Sequence, residues 1–381
     1  MVAKIKQIIL IILIVLTTNI TAQDIINGAN QMDRYLPLLE NKNIAIVANQ
    51  TSVINSTHLV DSLLEKKIKI LKVFSPEHGF RGDADAGELV SNSIDKKTKI
   101  PIVSLYGENK KPSKEQLKNI DIIIFDIQDV GVRFYTYIST LHYVMEAASE
   151  NKIKLILLDR PNPNGHYIDG PIREKKYKSF VGMHPIPIVH GMTIGEYAKM
   201  INGEKWISKK CDLKIIDMKN YSHNMRIELS IKPSPNLPNS RAINLYPSLC
   251  LFEGTNVSVG RGTDYPFQHF GSPYLNNNYC FVPKSNYGSK QPKHNLTKCC
   301  GIDLRKPINY YDEIKLSWII FAYNHTSDQN SFFNSFFDKL AGNDKLRKQI
   351  IEGKNENQIR NSWQKDLEKF KKLREKYLIY N

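Results

Sequence analysis

Residues 122–129 read IIIFDIQD, in which four apolar residues are followed by four residues that are polar except for Ile127. The apolar part has the length of a strand and does not alternate with polar residues, which is the pattern of a strand buried on both faces. Four more runs of this kind occur in the first half of the chain, at Ile44–Ala48, Ile70–Phe74, Ile102–Leu105 and Leu155–Leu158. Together the five runs predict a parallel β-sheet.

Helical patterns lie between several of these runs. Leu59, Leu63 and Leu64 repeat at helical spacing behind a Thr57 cap, and Ser113–Gln116 has the spacing of a capping box. A third amphipathic helix is predicted from Ile138, Leu141, Met145 and Ala148. Strands that alternate with helices predict a doubly wound α/β domain.

The sequence changes character after about Gly182. The prolines of KPSPNLPNS (232–240) predict a stiff, extended segment, and glycines interrupt short β-like pieces in LFEGTNVSVGRGTDYPF (251–267). A last helix is predicted at Ser362–Tyr380, with an apolar stripe that packs on the core. A chain of 381 residues suggests two domains. We predict an α/β domain at 23–182 and a smaller, mixed α+β domain at 183–381.

The first 22 residues have the pattern of a secretory signal peptide. Lys4 and Lys6 precede the apolar run Ile8–Leu16, and Thr21-Ala22 offers a cleavage point before Gln23. The run is too short to span a bilayer. We therefore expect an exported protein, periplasmic or extracellular, without stable membrane insertion; an uncleaved anchor is the alternative.

Charge and cysteine content restrict the partners. The formal net charge of +15 favours acidic polymers, and export favours envelope polysaccharide over nucleic acid. Because the lysines are scattered, a soluble, Lys-rich surface is the simpler explanation. An odd number of cysteines without a Cys-x-x-Cys pair argues against zinc, while one or two disulfides are allowed in an oxidising compartment. The cysteines are Cys211, Cys250, Cys280, Cys299 and Cys300.

Polar side chains follow each predicted strand. Because ligands of open parallel sheets bind outside the carboxyl ends of the strands, these residues are the candidate site. Each has an ordinary structural explanation as a cap, a turn or a local ion pair, but together they favour a site. They are Asn49, Gln50, Thr51, Glu77, His78, Arg81, Tyr106, Asp126, Gln128, Asp129, Arg133, Asp159, Arg160 and Asn162.

The spacing of motifs in the sequence excludes two of the chemistries that polar site residues could perform. The chain has no G-x-S-x-G motif for a serine nucleophile, and Pro266 prevents the helix that a phosphate loop around Gly260 would need. Carboxylate chemistry remains, and glycosidic bond cleavage requires a proton donor of this kind. Glu77, in the motif SPEHG, is the first choice for the acid. A minor alternative is a metal site, formed by His78, Asp126, Asp129 and His142.

Six stretches resemble the exo-β-N-acetylmuramidases of peptidoglycan turnover. They are IAIVANQT (44–51), FSPEHGFRGDADAGE (74–88), FDIQDVGVRFYTYISTLHYVMEA (125–147), LDRPNPNG (158–165), FVGMHPIPIVHGMTIGEYA (180–198) and LYPSLCLFEGTNVSVGRGTDYPFQHFGSP (245–273). The resemblance extends from about Ile44 to the C-terminus. Residues 276–298 resemble the family least. We expect them to form loops and not to contribute to the site.

The resemblance implies a Rossmann-like domain, a smaller second domain, a cleft between them and no cofactor. The implied reaction is release of N-acetylmuramic acid from the non-reducing end of glycans or of its disaccharide with N-acetylglucosamine, with Glu77 as the acid. Muramic acid carries a lactyl carboxylate, which requires a cation for bidentate pairing. The candidates are Arg81, Arg133 and Arg261.

The second catalytic group stays open at this stage. Asp126 or Asp129 would position the substrate's acetamido group for attack on the anomeric carbon, or a carboxylate would attack directly. Tyr135 and Tyr137 are candidates for stacking on sugar faces, although core packing is expected for at least one of them. The alternatives to this function are a non-catalytic wall-glycan binding protein and a metal-dependent hydrolase.

Overall fold

The computed structural model describes residues 24–77, 79–81, 92–306 and 310–381. The predicted signal peptide and His78 therefore lie outside the described residues. Within those ranges, each helix is too short or too polar to cross a membrane.

A seven-stranded sheet lies at the centre of the first half. Its strands are β1 (Ile44–Ala48), β4 (Ile70–Ser75), β5 (Ser93–Ile94), β6 (Pro101–Ser104), β7 (Ile122–Asp126), β8 (Lys154–Leu158) and β9 (Leu213–Ile216); β2 (Val53–Ile54) and β3 (Thr57–His58) form a separate hairpin. The order across the sheet is β5-β6-β4-β1-β7-β8-β9, and each neighbouring pair is parallel except β5 and β6. The five predicted strands and the α/β class are confirmed.

The two faces of the sheet pack into two different cores. In β7, Ile123 and Phe125 join one hydrophobic cluster, while Ile122 and Ile124 join the other. Because both faces are covered, all five residues of β7 are buried, and so are all five of β1. This burial explains why the strand sequences are continuously apolar.

Two of the three helical patterns are corrected in detail. Helix Leu59–Glu65 forms, but Thr57 is not its cap: Thr57 pairs in β3, and the His58 side chain accepts a hydrogen bond from the Val60 amide instead. Ser113 and Gln116 exchange the hydrogen bonds of a capping box within a turn, without a regular helix after them. The third pattern is confirmed as helix Tyr137–Glu150, which buries its predicted apolar face.

The large sheet continues beyond residue 182, where we predicted the first domain to end. Helix Ile194–Gly203 begins at a capping box between Thr193 and Glu196 and leads to β9, which pairs with β8. The change of sequence character after Gly182 therefore marks a long connection within the α/β layer, ahead of its last strand.

The C-terminal part contains a small antiparallel sheet and short helices. The sheet has the order β10 (His269–Ser272), β12 (Cys299–Asp303), β11 (Tyr279–Phe281). A disulfide joins Cys280 to Cys300, which face each other across β11 and β12, while the other three cysteines are free and buried. The helices are Ser240–Leu249, Leu316–His325, Phe336–Ala341, Lys345–Ile351, Glu356–Asn361 and Gln364–Glu375.

Shorter helices complete the fold. They are the α-helical turn Leu36–Leu39 and the 3₁₀ helices Gly28–Asn30, Met32–Arg34, Lys175–Tyr177 and Cys250–Gly254. The predicted last helix begins at Gln364 and ends at Glu375. Its apolar stripe packs on the core as predicted, with Trp363, Leu367 and Phe370 buried.

Candidate active site

A cavity of about 850 Å³ opens beyond the carboxyl end of β4. Residues from both halves of the chain line it. The first half contributes Glu77, Tyr106, Phe134, Tyr135, Thr136, Tyr137, Phe180 and Val181; the second half contributes Ser234, Asn236, Leu237, Tyr246, Cys250, Glu253, Val257, Ser258, Val259, Arg261, Phe267, residues 288–293, Phe336 and Leu340. The predicted site residues that the structure brings together here are Glu77, Tyr106, Tyr135, Tyr137 and Arg261.

Hydroxyl groups surround the carboxylate of Glu77. The Thr136 hydroxyl donates to Glu77 Oε2 over 3.1 Å. Burial, together with the charge of Glu77, raises the pKa of Tyr106 well above its ordinary value, so Tyr106 stays protonated as a hydrogen-bond donor to Glu77. Behind them, the Tyr137 hydroxyl lies 3.5 Å from the Glu77 carbonyl oxygen and accepts from Asn49 Nδ2 at 2.9 Å. Asn49 therefore supports the wall of the cavity from outside it.

Aromatic rings form the floor of the cavity. Tyr135 and Tyr137 pack edge to face, as do Tyr135 and Tyr246, and Tyr246 and Phe267. Tyr135 is 7% exposed and Tyr137 is 1% exposed, and the Tyr135 hydroxyl donates to the Pro233 carbonyl. With so little exposed ring surface, both tyrosines mainly pack against their neighbours.

The part of the lining that comes from the second half of the chain carries charge. Arg261 Nε donates to Glu253 Oε1 over 3.0 Å, and both side chains are about one-quarter exposed, at 23% and 25%. Lys293 Nζ lies within hydrogen-bond distance of the carbonyl oxygens of Phe252, Glu253, Thr255 and Val257. Lys290 belongs to the same part of the lining.

Residues 276–298 form loops on both sides of β11, but the expectation that they lie apart from the site is wrong, because residues 288–293 line the cavity. The loop between β11 and β12 folds back on the chain: Lys284 N donates to the Gly262 carbonyl, and Asn236 Nδ2 donates to the Gly288 carbonyl. The disulfide Cys280–Cys300 closes this loop at its base.

Asp126 lies outside the cavity, in a buried ion pair with Arg160. Arg160 Nε and NH2 meet the two carboxylate oxygens of Asp126 at 2.5 and 2.9 Å, and the side chains are 4% and 0% exposed, respectively. Arg160 also donates to the Val53 carbonyl and lines a separate cavity of about 270 Å³. This geometry ties the ends of β7 and β8 together and favours a structural role.

The other two candidate arginines are held by protein groups. Arg81 pairs with both oxygens of Asp95, at 3.0 and 2.8 Å, and with Asp61 at 3.4 Å. Arg133 is fully buried and donates to the carbonyl oxygens of Pro171, Ile186 and Leu340. Neither of them lines the cavity that holds Glu77.

Gln50 and Asp159 also lie outside the cavity. Gln50 Nε2 donates to the Pro233 carbonyl at 3.1 Å, next to the residues that line the cavity. Asp159 is fully buried and accepts from Thr193, Gly195 and Tyr380, so it anchors the C-terminal end of the chain.

The described residues of the metal alternative, Asp126, Asp129 and His142, are not grouped around a common point, and its fourth residue, His78, lies outside the described residues. His142 Nδ1 lies 2.9 Å from His184 Nε2, and Asp126 is paired with Arg160. In the described part of the chain, no three His, Cys, Asp or Glu side chains are grouped to hold a metal ion.

Asp129 is buried without a charged partner at hydrogen-bond distance. Its Oδ2 accepts from the Gly131 amide at 2.7 Å, and its Oδ1 has no hydrogen-bond partner among the described residues. The nearby His190 is held neutral, because burial lowers its pKa to about 3. Burial raises the pKa of Asp129 to about 7.

The raised pKa of Asp129 predicts a stability that falls with pH. The folded state binds this proton more tightly than the unfolded state, whose pKa is about 3.9. The stabilisation is therefore full below about pH 4 and lost as the pH rises to about 7. Between pH 5 and 8, the free energy of unfolding of Asp129→Asn should fall by roughly 2.6 kcal/mol less than that of the wild type, as measured by urea denaturation.

The exposed Asp33→Asn variant is the matched control for this experiment, and its pH dependence should equal that of the wild type. Asp159, whose pKa burial also raises to about 7, contributes equally to both proteins in the comparison. Parallel curves for the wild type and Asp129→Asn would contradict the assignment.

Sequence reasoning missed Glu253 and Lys293. Glu253 stands within the family-like stretch 245–273, directly after the apolar residues Leu251 and Phe252. A lone acid in an apolar run is a signal that was available. Lys293 gave no such signal, because it is one of many lysines and its carbonyl partners form only in the fold.

Two family models together match most of the chain. The model described as exo-beta-N-acetylmuramidase NamZ, N-terminal, matches residues 44–241, and its C-terminal counterpart matches residues 244–380. The chain belongs to the NamZ exo-β-N-acetylmuramidase family. The resemblance found in the sequence is thereby confirmed, and the two NamZ models meet beyond β9, where the large sheet is complete.

Individual relatives agree with the NamZ assignment. The chain is 42% identical to the peptidoglycan beta-N-acetylmuramidase NamZ of Bacillus subtilis (strain 168), over 91% of this chain and 89% of that protein. Crystal structures of two DUF1343 family proteins from Bacteroides fragilis NCTC 9343 share the fold. One is 48% identical with a TM-score of 0.88, the other 28% identical with a TM-score of 0.81, and each match covers 94% of this chain and 99% of the other.

Proposed function

We propose that this NamZ family member releases N-acetylmuramic acid from the non-reducing end of peptidoglycan glycans or of the muramyl disaccharide, in the cavity that contains Glu77. The family is one of glycosidases, and the B. subtilis relative carries the name of this activity. The observation that supports this cavity as the active site is the set of charged residues that line it. An acid with hydroxyl donors comes from the first half of the chain, and the second half contributes three cations, Arg261, Lys290 and Lys293, against one carboxylate, Glu253.

The cations in the lining fit a sugar that itself carries a carboxylate. We assign the lactyl carboxylate of muramic acid to Arg261, because Arg81 and Arg133 are already bound by protein oxygens. Arg261 uses Nε to contact Glu253, and among the described residues its terminal amino groups have no hydrogen-bond partner, so we assign them to a ligand. A cavity of about 850 Å³ is within the usual range for small-molecule sites.

In the proposed reaction, Glu77 protonates the leaving glycosidic oxygen. The hydroxyl groups of Thr136 and Tyr106 fix the orientation of its carboxyl group. Whether the substrate's acetamido group attacks the anomeric carbon is independent of this step. Water completes the reaction and returns a proton to Glu77.

We also propose that the protein acts outside the cytoplasm, in the periplasm or the extracellular space, on fragments such as the muramyl disaccharide. The signal-peptide pattern of the first 22 residues supports export. The disulfide Cys280–Cys300 supports it independently, because disulfides form and persist mainly in oxidising compartments.

The test of the function is product identification. The purified chain is incubated with the muramyl disaccharide, and we expect free N-acetylmuramic acid and N-acetylglucosamine in mass spectrometry, with activity unchanged by chelators. Saturable binding in calorimetry without product would instead support a glycan-binding protein. Activity lost with chelator and restored by a metal would support a metal-dependent hydrolase.

A further inference from the structure

A second carboxylate, Glu253, lines the same cavity as the acid. It belongs to the 3₁₀ helix Cys250–Gly254, which follows helix Ser240–Leu249 directly and is mostly buried. The Glu253 side chain is nevertheless 25% exposed, and its exposed part faces the cavity that Glu77 also lines. The fold therefore presents two carboxylates, from distant parts of the sequence, to one sugar-sized space.

Two cations accompany Glu253. Arg261 Nε contacts Glu253 Oε1, and the Arg261 guanidinium lies 5.0 Å from the centre of the Phe267 ring, which limits its movement. Lys293 is fixed by four main-chain carbonyl oxygens around the 3₁₀ helix, including that of Glu253 itself. Burial acts to raise the pKa of Glu253, but Arg261 and Lys293 outweigh it, so the pKa lies below its ordinary value.

We propose that Glu253 is the second catalytic carboxylate of this site, which stabilises positive charge on the sugar ring in the transition state. This inference rests on the proposed function and names the group that Asp126 and Asp129 do not supply. Neither aspartate lines the cavity.

Glu77 and Glu253 are sufficient to account for every bond and proton in the hydrolysis. The bond between the anomeric carbon and the glycosidic oxygen breaks, its electron pair goes to the oxygen, and that oxygen takes the proton of Glu77. The positive charge left on the anomeric carbon and the ring oxygen faces the Glu253 carboxylate. Water then adds to the anomeric carbon and gives its proton to Glu77, so Glu253 stays ionised throughout.

The experiment compares leaving groups. Glu253→Gln should lower kcat about 100-fold for both the muramyl disaccharide and 4-nitrophenyl β-N-acetylmuramide, because charge on the sugar ring develops with either leaving group. Glu77→Gln should lose much less activity on the nitrophenyl substrate, since nitrophenolate leaves without protonation. Equal losses on both substrates therefore distinguish a charge-stabilising carboxylate from the acid.

Glu253→Asp keeps the charge but withdraws the carboxylate by one methylene group, and it should lose about tenfold in kcat. If Glu253→Gln does not fold, Glu253→Asp tests the catalytic role of Glu253 in its place. Asp338→Asn is the matched control, because Asp338 forms a partly exposed ion pair with Arg347 outside the cavity. It should keep wild-type kcat on both substrates.

Wild-type kcat in folded Glu253→Gln, or in Glu253→Asp if only that variant folds, would overturn the inference while leaving the proposed function intact. If the wild type itself releases no N-acetylmuramic acid from either substrate, the proposed function fails. The two failures are thus separate results of one set of assays.

Discussion

Glu77→Gln is expected to lower kcat on the muramyl disaccharide about 1,000-fold, the largest change in activity predicted for this chain. A sugar hydroxyl is a poor leaving group, so its departure requires a proton, and Gln cannot supply one. The hydroxyls of Thr136 and Tyr106 contact the carboxylate, and both hydrogen-bond equally to an amide oxygen. Folding should therefore be unaffected.

The measurement is steady-state release of N-acetylmuramic acid, with thermal unfolding as the test of folding. Glu115→Gln is the matched control, because Glu115 is exposed in the turn that follows Ser113, away from the cavity residues. It should match the wild type in both assays. Turnover of Glu77→Gln within tenfold of the wild type would remove Glu77 from the role of acid.

The sequence predicts the sheet because its strands are buried on both faces. In β1 and β7 the two cores take alternate residues, so the requirement for apolar side chains is continuous and visible without any structure. Glu77 was predicted for a related reason. It follows the carboxyl end of β4 closely, and in a parallel sheet that position faces the edge where ligands bind.

The same rule selected too many residues. It predicts at which edge of the sheet a ligand binds, but it does not predict the direction in which each side chain points. Asp126 ends β7 and turns to Arg160 beyond the end of β8, and Asn49 turns to Tyr137. Local sequence contains no information on such pairings, since the partners lie 34 and 88 positions away. Glu253 and Lys293, which also line the cavity, belong to the C-terminal part of the chain. A rule about the ends of strands in the large sheet therefore does not predict them.

Asp126→Asn is expected to lower the free energy of unfolding by about 3 to 5 kcal/mol, the largest loss of stability predicted here. The change leaves the Arg160 guanidinium, 4% exposed, without its counter-charge. The remaining contact of Arg160 with the Val53 carbonyl cannot neutralise it. The folded fraction should nevertheless keep kcat within about threefold of the wild type, because Asp126 does not line the cavity.

Urea denaturation and turnover of the folded protein measure the two effects separately. Asp303→Asn is the matched control, since Asp303 forms a similar bidentate pair with Arg305 at the surface, and its loss should cost less than about 1 kcal/mol. The double variant Asp126→Leu with Arg160→Met should regain much of the stability, because it leaves no buried charge unpaired. Loss of turnover in stable Asp126→Asn would instead restore the predicted catalytic role of Asp126 and require the end of β7 to reach the substrate.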